Sequence, residues 1–364
     1  MAEEVSDTRE LWRPATGTVT IDDVAAAARV SPATVSRVIN NRPIVAEGTR
    51  QRVLDAIERL SFRPSSLGRS LATRRTGTLG LVIADITNPF YPEIVRGVEQ
   101  AAATHGMSLL LYDTAEDSER EAEALRLLGE RKVDGVIICA SRLPEERLAA
   151  LAASDTPLVF INRQPAVWSI GTVDVDQEAG AHAAVDHLAA LGHRRIAYIG
   201  GPEASQVQQR RRAAFQAACA AHDIAILDHD IVTADPTIAG GQDAGRRLLG
   251  AASSHRAGGH PRPTAILAYN DLIAVGVLMV AQADGIAIPA HLSVVGHDDI
   301  PLSAALHPAL TTVRQPMRDL GKRAVRLLHT HLQHQQRDGA RDAPALVRLA
   351  PTLIVRASTG LAPH

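Results

Sequence analysis

Seven polar residues, Asp85, Asp113, Asn162, Arg163, Asn270, Asp271 and Asp298, each end a short apolar run in this chain. Carboxylates accept hydrogen bonds from hydroxyls, a guanidinium donates to them, and an amide does both. Gathered at one place, such a set suits a polyhydroxylated ring. Taken singly, each is more commonly a helix N-cap, and Asp271 before "LIAVGVLM" has the context for one. The spacings that mark catalysis are missing: there is no G-x-x-x-x-G-K-[ST], no G-x-G-x-x-G after a strand, no H-E-x-x-H and no C-x-x-C. His329, His331 and His334 lack a helical i, i+4 pair and read as a solvated helix end. No metal, cofactor or enzymatic activity is therefore expected. Cys139 and Cys219 lie in apolar surroundings and read as free thiols.

A second set of residues suits nucleic acid. In "VSPATVSRVINN", Ser31 can cap a helix whose first position is Pro32, and Val30 and Val35 can clasp across that cap. Val35, Val38 and Ile39 then face inward, leaving Pro32, Ala33, Ser36, Arg37 and Asn40 outside. That face is short-chained except for Arg37, as a helix entering a major groove requires. Upstream, Thr20 and Asp23 form a capping box before "VAAAARV", and a third helix is expected over Glu47 to Leu60. Two short helices joined by a tight turn, with a third across them, make a helix-turn-helix unit.

Charge agrees with that division. Thr20 to Thr76 holds ten Arg, no Lys and five acids, while the whole chain is at −2, so a basic module is attached to an acidic body. At 364 residues the chain exceeds one core. Its first 18 residues are polar and acidic and no apolar run reaches membrane-spanning length, so a cytoplasmic protein is expected.

The elements that must carry the first set are strands. "TLGLVIAD", "SLLLYDT", "DGVIICAS" and "PLVFINR" form one series, and "RIAYIGG", "TAILAYN" and "LSVVGHDD" a second. Alternation with amphipathic helical stretches predicts parallel sheets covered on both faces. In such sheets ligands gather at the carboxyl ends of strands, where the seven polar residues stand.

The segment from "VTIDDVAAAARVSPATVSRVINN" through "FRPSSLGRSLATRRTGTLGLVIADITNPFYPEI" resembles the LacI/GalR family of bacterial transcription regulators, and the resemblance runs over nearly the whole chain after Thr18. It implies a homodimeric repressor on near-palindromic operator DNA, with a small-molecule effector held in a periplasmic-binding-protein-like body. The implied layout is a tail over 1–18, a DNA-binding domain over 19–63, a hinge helix over 64–76 and an effector-binding domain over 77–361. The body would divide into two doubly wound parallel-sheet subdomains, about 77–174 with 309–337 and about 175–308 with 338–361. Implied DNA contacts are Thr20, Ser31, Pro32, Ala33, Thr34, Ser36, Arg37 and Asn40, with Arg69, Leu71 and Ala72 in the hinge. Leu71 would wedge into the minor groove and Leu67 pack on the partner hinge. Implied effector contacts are Arg211, Asn270, Asp271 and Asp298, beside an aromatic wall of Phe90 and Tyr91. Asp235, in "TADPT", stands about where relatives place a stacking aromatic. A sugar or sugar derivative is the first choice of effector and a purine the alternative. Arg29 stands in the turn where the family has Gly or Asn, so a left-handed backbone there would cost about 1 kcal/mol.

Overall fold

Thr20 opens helix α1 (Ile21–Ala28) with a complete capping box: Thr20 N donates to Asp23 Oδ2 at 2.8 Å and Asp23 N donates back to Thr20 Oγ1. The helix ends at Arg29, whose φ of 53° is the left-handed conformation the turn was expected to need. Helix α2 (Pro32–Ile39) follows, with Thr34 N donating to Ser31 Oγ at 3.2 Å, and then α3 (Glu47–Arg59). Val24, Ala28, Val35, Val38, Val53 and Ala56 form their shared core, and Val30 packs on the cluster that contains Val35.

This computed structural model describes residues 19–39, 42–62, 75–152, 156–166, 169–249, 262–337 and 344–363, and divides into two units, Met1–Thr76 and Gly77–His364. Asn40, Leu67, Arg69, Leu71, Ala72 and the expected hinge helix lie outside the described residues.

The second unit holds two six-stranded sheets. The first is built from β1 (Thr78–Ile83), β2 (Ser108–Asp113), β3 (Gly135–Cys139), β4 (Leu158–Ile161), β5 (Gly171–Val175) and β11 (Ala345–Leu349), in the order β11-β5-β4-β3-β1-β2, all parallel. The second uses β6 (Ile196–Gly200), β7 (Ile231–Thr233), β8 (Ala265–Ala268), β9 (Ser293–Asp298), β10 (Thr311–Arg314) and β12 (Thr352–Ile354), in the order β12-β10-β9-β8-β6-β7, with only β12 antiparallel.

Strand periodicity sends side chains to both faces of each sheet. Leu79, Leu81 and Ile83 meet α4 (Phe90–Thr104) and α12 (Met317–Arg337) on one side. Val82, Ile138 and Phe160 meet α5 (Ser118–Glu130) and α6 (Glu145–Ala152) on the other. The second sheet is covered likewise, by α9 (Ile238–Leu249) and α10 (Asp271–Ala283) on one face and α7 (Gln177–Ala190) and α8 (Gln206–Ala221) on the other, with the short α11 (Pro301–Ala305) following β9. Helices α4 and α12 cross so closely that a Cβ on Gly97 would lie 2.2 Å from Arg318 O. In each sheet the winding reverses beside the first strand, β1 or β6, and a crevice opens there at the carboxyl ends.

The chain passes between the sheets three times: after Val175, after Arg314 and after Leu349. This corrects the expected subdomain limits at two points. Strand β10 lies in the second sheet, so the return falls at Gln315–Pro316, and β11 lies in the first sheet rather than the second. Both are edge or near-edge strands paired through backbone, and nothing in their apolar pattern assigns them to a sheet.

Candidate ligand-binding cleft

The carboxyl ends of both sheets face one narrow cleft, whose empty space is about 380 Å³ when the part open to solvent is included. Six of the expected residues line it: Phe90, Tyr91, Asn162, Arg211, Asn270 and Asp298. Phe90 and Tyr91 start α4 edge-on to each other, with ring centroids 5.1 Å apart. From the second subdomain, Val207 and Arg211 are one helical turn apart on α8, so both reach the cleft from one face. Arg211 is buried and fixed by two acceptors, Gln177 Oε1 at 2.7 Å and Tyr269 O at 2.5 Å, while its guanidinium lies 5.0 Å from the centroid of the Tyr269 ring. That distance is within cation–π range.

Five expected residues do not line the cleft. Asp85 turns back on its own loop, accepting from Thr87 N at 2.8 Å and Thr87 Oγ1 at 2.6 Å. Asp113 accepts from Ile86 N at 2.9 Å and is exposed. Arg163 is buried against Leu143 O and Glu145 Oε1, where it ties β4 to α6. Asp271 is fully buried: Oδ2 accepts from Ile300 N and Ser303 Oγ, and Oδ1 from Thr312 Oγ1 at 2.6 Å. Asp235 is exposed, and Thr237 N donates to its carbonyl. The first four side chains are occupied in building the loops and helix starts that the strand ends feed, while Asp235 gives its carbonyl to its own turn. Asn270 does both, capping α10 through Ile273 N at 2.8 Å while lining the cleft.

Sequence reasoning also missed lining residues, chiefly Asn88, Glu116, Tyr269 and Gln315. Gln315 Nε2 donates to Asp298 Oδ1 at 2.5 Å, and Gln315 Oε1 is buried without a partner among the described residues. Tyr269 gives the second subdomain the aromatic face that was sought near residue 235. Burial pushes Asp298 up to about 8, against the pull of Arg211 and with added repulsion from Asp271. Burial likewise pushes Asp271 up to about 6, partly offset by its three donors. His297, beside them on β9, is held well below its ordinary value by burial and by Arg211.

In the first unit, Thr20, Ser31, Pro32, Ala33 and Arg37 are exposed, and Thr34 and Ser36 are half-buried. Ser31 and Thr34 share a hydroxyl contact of 3.0 Å at the start of α2.

Residues 20–65 match the family described as "Bacterial regulatory proteins, lacI family", and residues 185–359 match "Periplasmic binding protein-like domain". The chain is 34% identical to catabolite control protein A of Priestia megaterium, covering 94% of this chain and 99% of that protein. It is 37% identical to the ribose operon repressor of Halalkalibacterium halodurans, covering 93% and 97%. The HTH-type transcriptional repressor PurR of Aliivibrio fischeri is 33% identical, with coverage of 93% and 98%. Among solved structures, the lac repressor dimer bound to operator and the anti-inducer ONPF superposes with a TM-score of 0.81 at 28% identity, covering 94% and 99% of the two chains. The complex of the transcriptional regulator CelR with cellobiose gives 0.68 at 30% identity, covering 93% and 99%.

Proposed function

This chain belongs to the lacI family of bacterial regulatory proteins, and from that premise we propose that a sugar or sugar derivative bound in the cleft controls its grip on DNA. The protein is a DNA-binding transcriptional regulator of the repressor type, and it meets its operator as a homodimer. Each α2 reads one half-site through Ser31, Pro32, Ala33, Thr34, Ser36 and Arg37, with Thr20 and Asn40 at its margins. Two-fold symmetry in the protein then matches a near-palindrome in the DNA. Leu71 and Ala72 enter the minor groove between the half-sites, and Arg69 lies at phosphate. Such work places the protein in the cytoplasm, and among the described residues no helix is long and apolar enough to cross a membrane.

One observation carries the ligand reading: Tyr91 from the first subdomain and Arg211, Tyr269 and Asp298 from the second line the same cleft. A ring held there touches both subdomains, so its affinity depends on their spacing, and it favours whichever spacing fits it. A coupling of about 1–3 kcal/mol changes operator affinity roughly 5–150-fold. Aromatic faces for C–H surfaces, with acids and a guanidinium for hydroxyls, are a sugar's requirements. The CelR relative holds cellobiose, and another relative is named for ribose.

Thermal-shift screening against sugars, sugar phosphates and purines, followed by operator binding with each hit, tests this. A sugar that raises the melting temperature and changes operator affinity supports it; a purine doing so moves the assignment to the alternative. A hit that leaves operator affinity untouched overturns the effector reading.

A further inference from the structure

We propose that Glu116 is the carboxylate by which the first subdomain recognises its ligand, that Arg142 positions it, and that the ligand is a neutral sugar rather than a sugar acid or phosphate. This rests on the cleft being the effector site.

Glu116 follows β2 in the loop "TAED", and both Ala115 (φ 51°) and Glu116 (φ 61°) are left-handed. Residues carrying a Cβ rarely adopt that region, and two in succession persist only where the surroundings fix them. Here Glu116 N is tied to Ala84 O at 2.7 Å and Thr114 N to Ile83 O at 3.0 Å. The result is a carboxylate lining the cleft, its side chain 23% exposed.

Its two oxygens are used differently. Oε2 accepts from Arg142 Nε at 2.6 Å, and Arg142, only 6% exposed, is itself fixed by donating Nη1 to Ala140 O at 2.7 Å. Oε1 makes no hydrogen bond among the described residues. Gln315 Oε1, also on the cleft wall, is a second acceptor without a donor among the described residues. Unfilled acceptors on both walls call for a ligand that donates from several positions, as adjacent hydroxyls do. Glu116 is already charge-balanced by Arg142 within its own ion pair, and Arg211 across the cleft is held by two neutral acceptors. An anionic substituent would meet Glu116 as a like charge in a site with low solvent access.

The test uses full-length protein with D-ribose, D-glucose and D-galactose, their phosphates, glucuronate and galacturonate, and adenine and hypoxanthine, with affinities measured by calorimetry. One neutral sugar should bind at least tenfold more tightly than its own phosphate or uronate. Glu116→Gln should weaken that sugar about tenfold or more, the worth of a hydrogen bond to a charged acceptor. Arg142→Gln should weaken it in the wild-type background but add little to Glu116→Gln, and Arg142→Lys should restore part of the loss. On wild-type protein alone, one deoxy analogue of the sugar should lose a similar factor, and that loss should shrink in Glu116→Gln. Tighter binding of a phosphate or uronate, no neutral sugar binding at all, or wild-type affinity in Glu116→Gln would each overturn the proposal. A purine that binds and shifts operator affinity would overturn it too, while leaving the cleft as the effector site.

Discussion

Gln315 donates its amide to Asp298 at the point where the chain leaves the second sheet for α12. A cleft carboxylate is thereby tied to a connection between subdomains, so a ligand held as proposed, by Asp298 or by Gln315 Oε1, would bear directly on that connection.

Arg211→Ala should weaken the ligand at least tenfold and abolish its effect on operator affinity, while binding of the free protein to DNA persists. Arg211 is buried on two fixed acceptors. Its loss strands Gln177 and the Tyr269 carbonyl, costing roughly 1–3 kcal/mol of stability. Operator titrations with and without the sugar check this; an intact response would remove Arg211 from the site.

A second arginine one position earlier has a different task. Arg210 donates to both oxygens of Asp174, at 2.5 and 2.9 Å, joining α8 of the second subdomain to β5 of the first. Asp174 is fully buried and also accepts from Gln164 Nε2 at 2.7 Å. Arg210→Met should cost about 3 kcal/mol or more, because it leaves a buried charge without its partner. Denaturant melts measure it, and Asp174→Asn combined with Arg210→Met should recover part of the loss.

Arg29→Gly should stabilise the DNA-binding unit by roughly 1 kcal/mol. The residue is exposed and left-handed, so glycine removes a steric penalty and little packing. Amide exchange in α1 and α2 reads this directly. An unchanged or lower protection would show that the Arg side chain contributes more than its backbone costs.

Stability should fall as pH rises from 6.5 to about 8. Asp298 and Asp271 titrate near 3.8 in the unfolded chain but higher in the folded one, up to about 8 for Asp298. The folded protein therefore keeps protons that the unfolded chain has lost, and each ionisation costs about 1.4 kcal/mol per pH unit. Below 6.5 the half-buried His187 and the buried His193 and His297, all shifted down by burial, act in the opposite sense, since the unfolded chain binds their protons. Chemical denaturation across this range should show the decline, and Asp298→Asn should flatten it.

Leu71→Ala should weaken operator binding while leaving sugar affinity unchanged, because an apolar wedge stabilises a kinked base step that Ala cannot fill. Equal affinity of the two proteins for the operator would exclude the wedge.

The seven strands read from the sequence are β1, β3, β4, β6, β8 and β9, the apolar centre of each sheet, and β2, an apolar edge strand. The five others are short or carry Asp, Thr or Arg. In β5 and β10 those polar residues are buried because distant partners satisfy them: Asp174 by Arg210, and Thr312 by Asp271. A run of that kind cannot announce itself locally. The same limit applied in the cleft. Acids at strand ends were visible, but whether each turns into its loop or into the cleft depends on backbone several residues away. Glu116 enters through two left-handed residues that no Gly or Asn foreshadows. Tyr269 was hidden beside Asn270, the more obvious cap.

The three passages of the chain between the sheets lie side by side. Val175 is in register with Leu349, Asp176 N donates to Leu349 O at 2.9 Å, and Arg314 is in register with Thr352. A single connecting strand would let one half of the body swivel freely against the other. Three abreast act as a leaf spring: they bend readily in one plane and resist twisting. The two halves are thereby restricted to fewer directions of relative motion, so a ligand bound between them as proposed would favour a defined displacement over a general loosening.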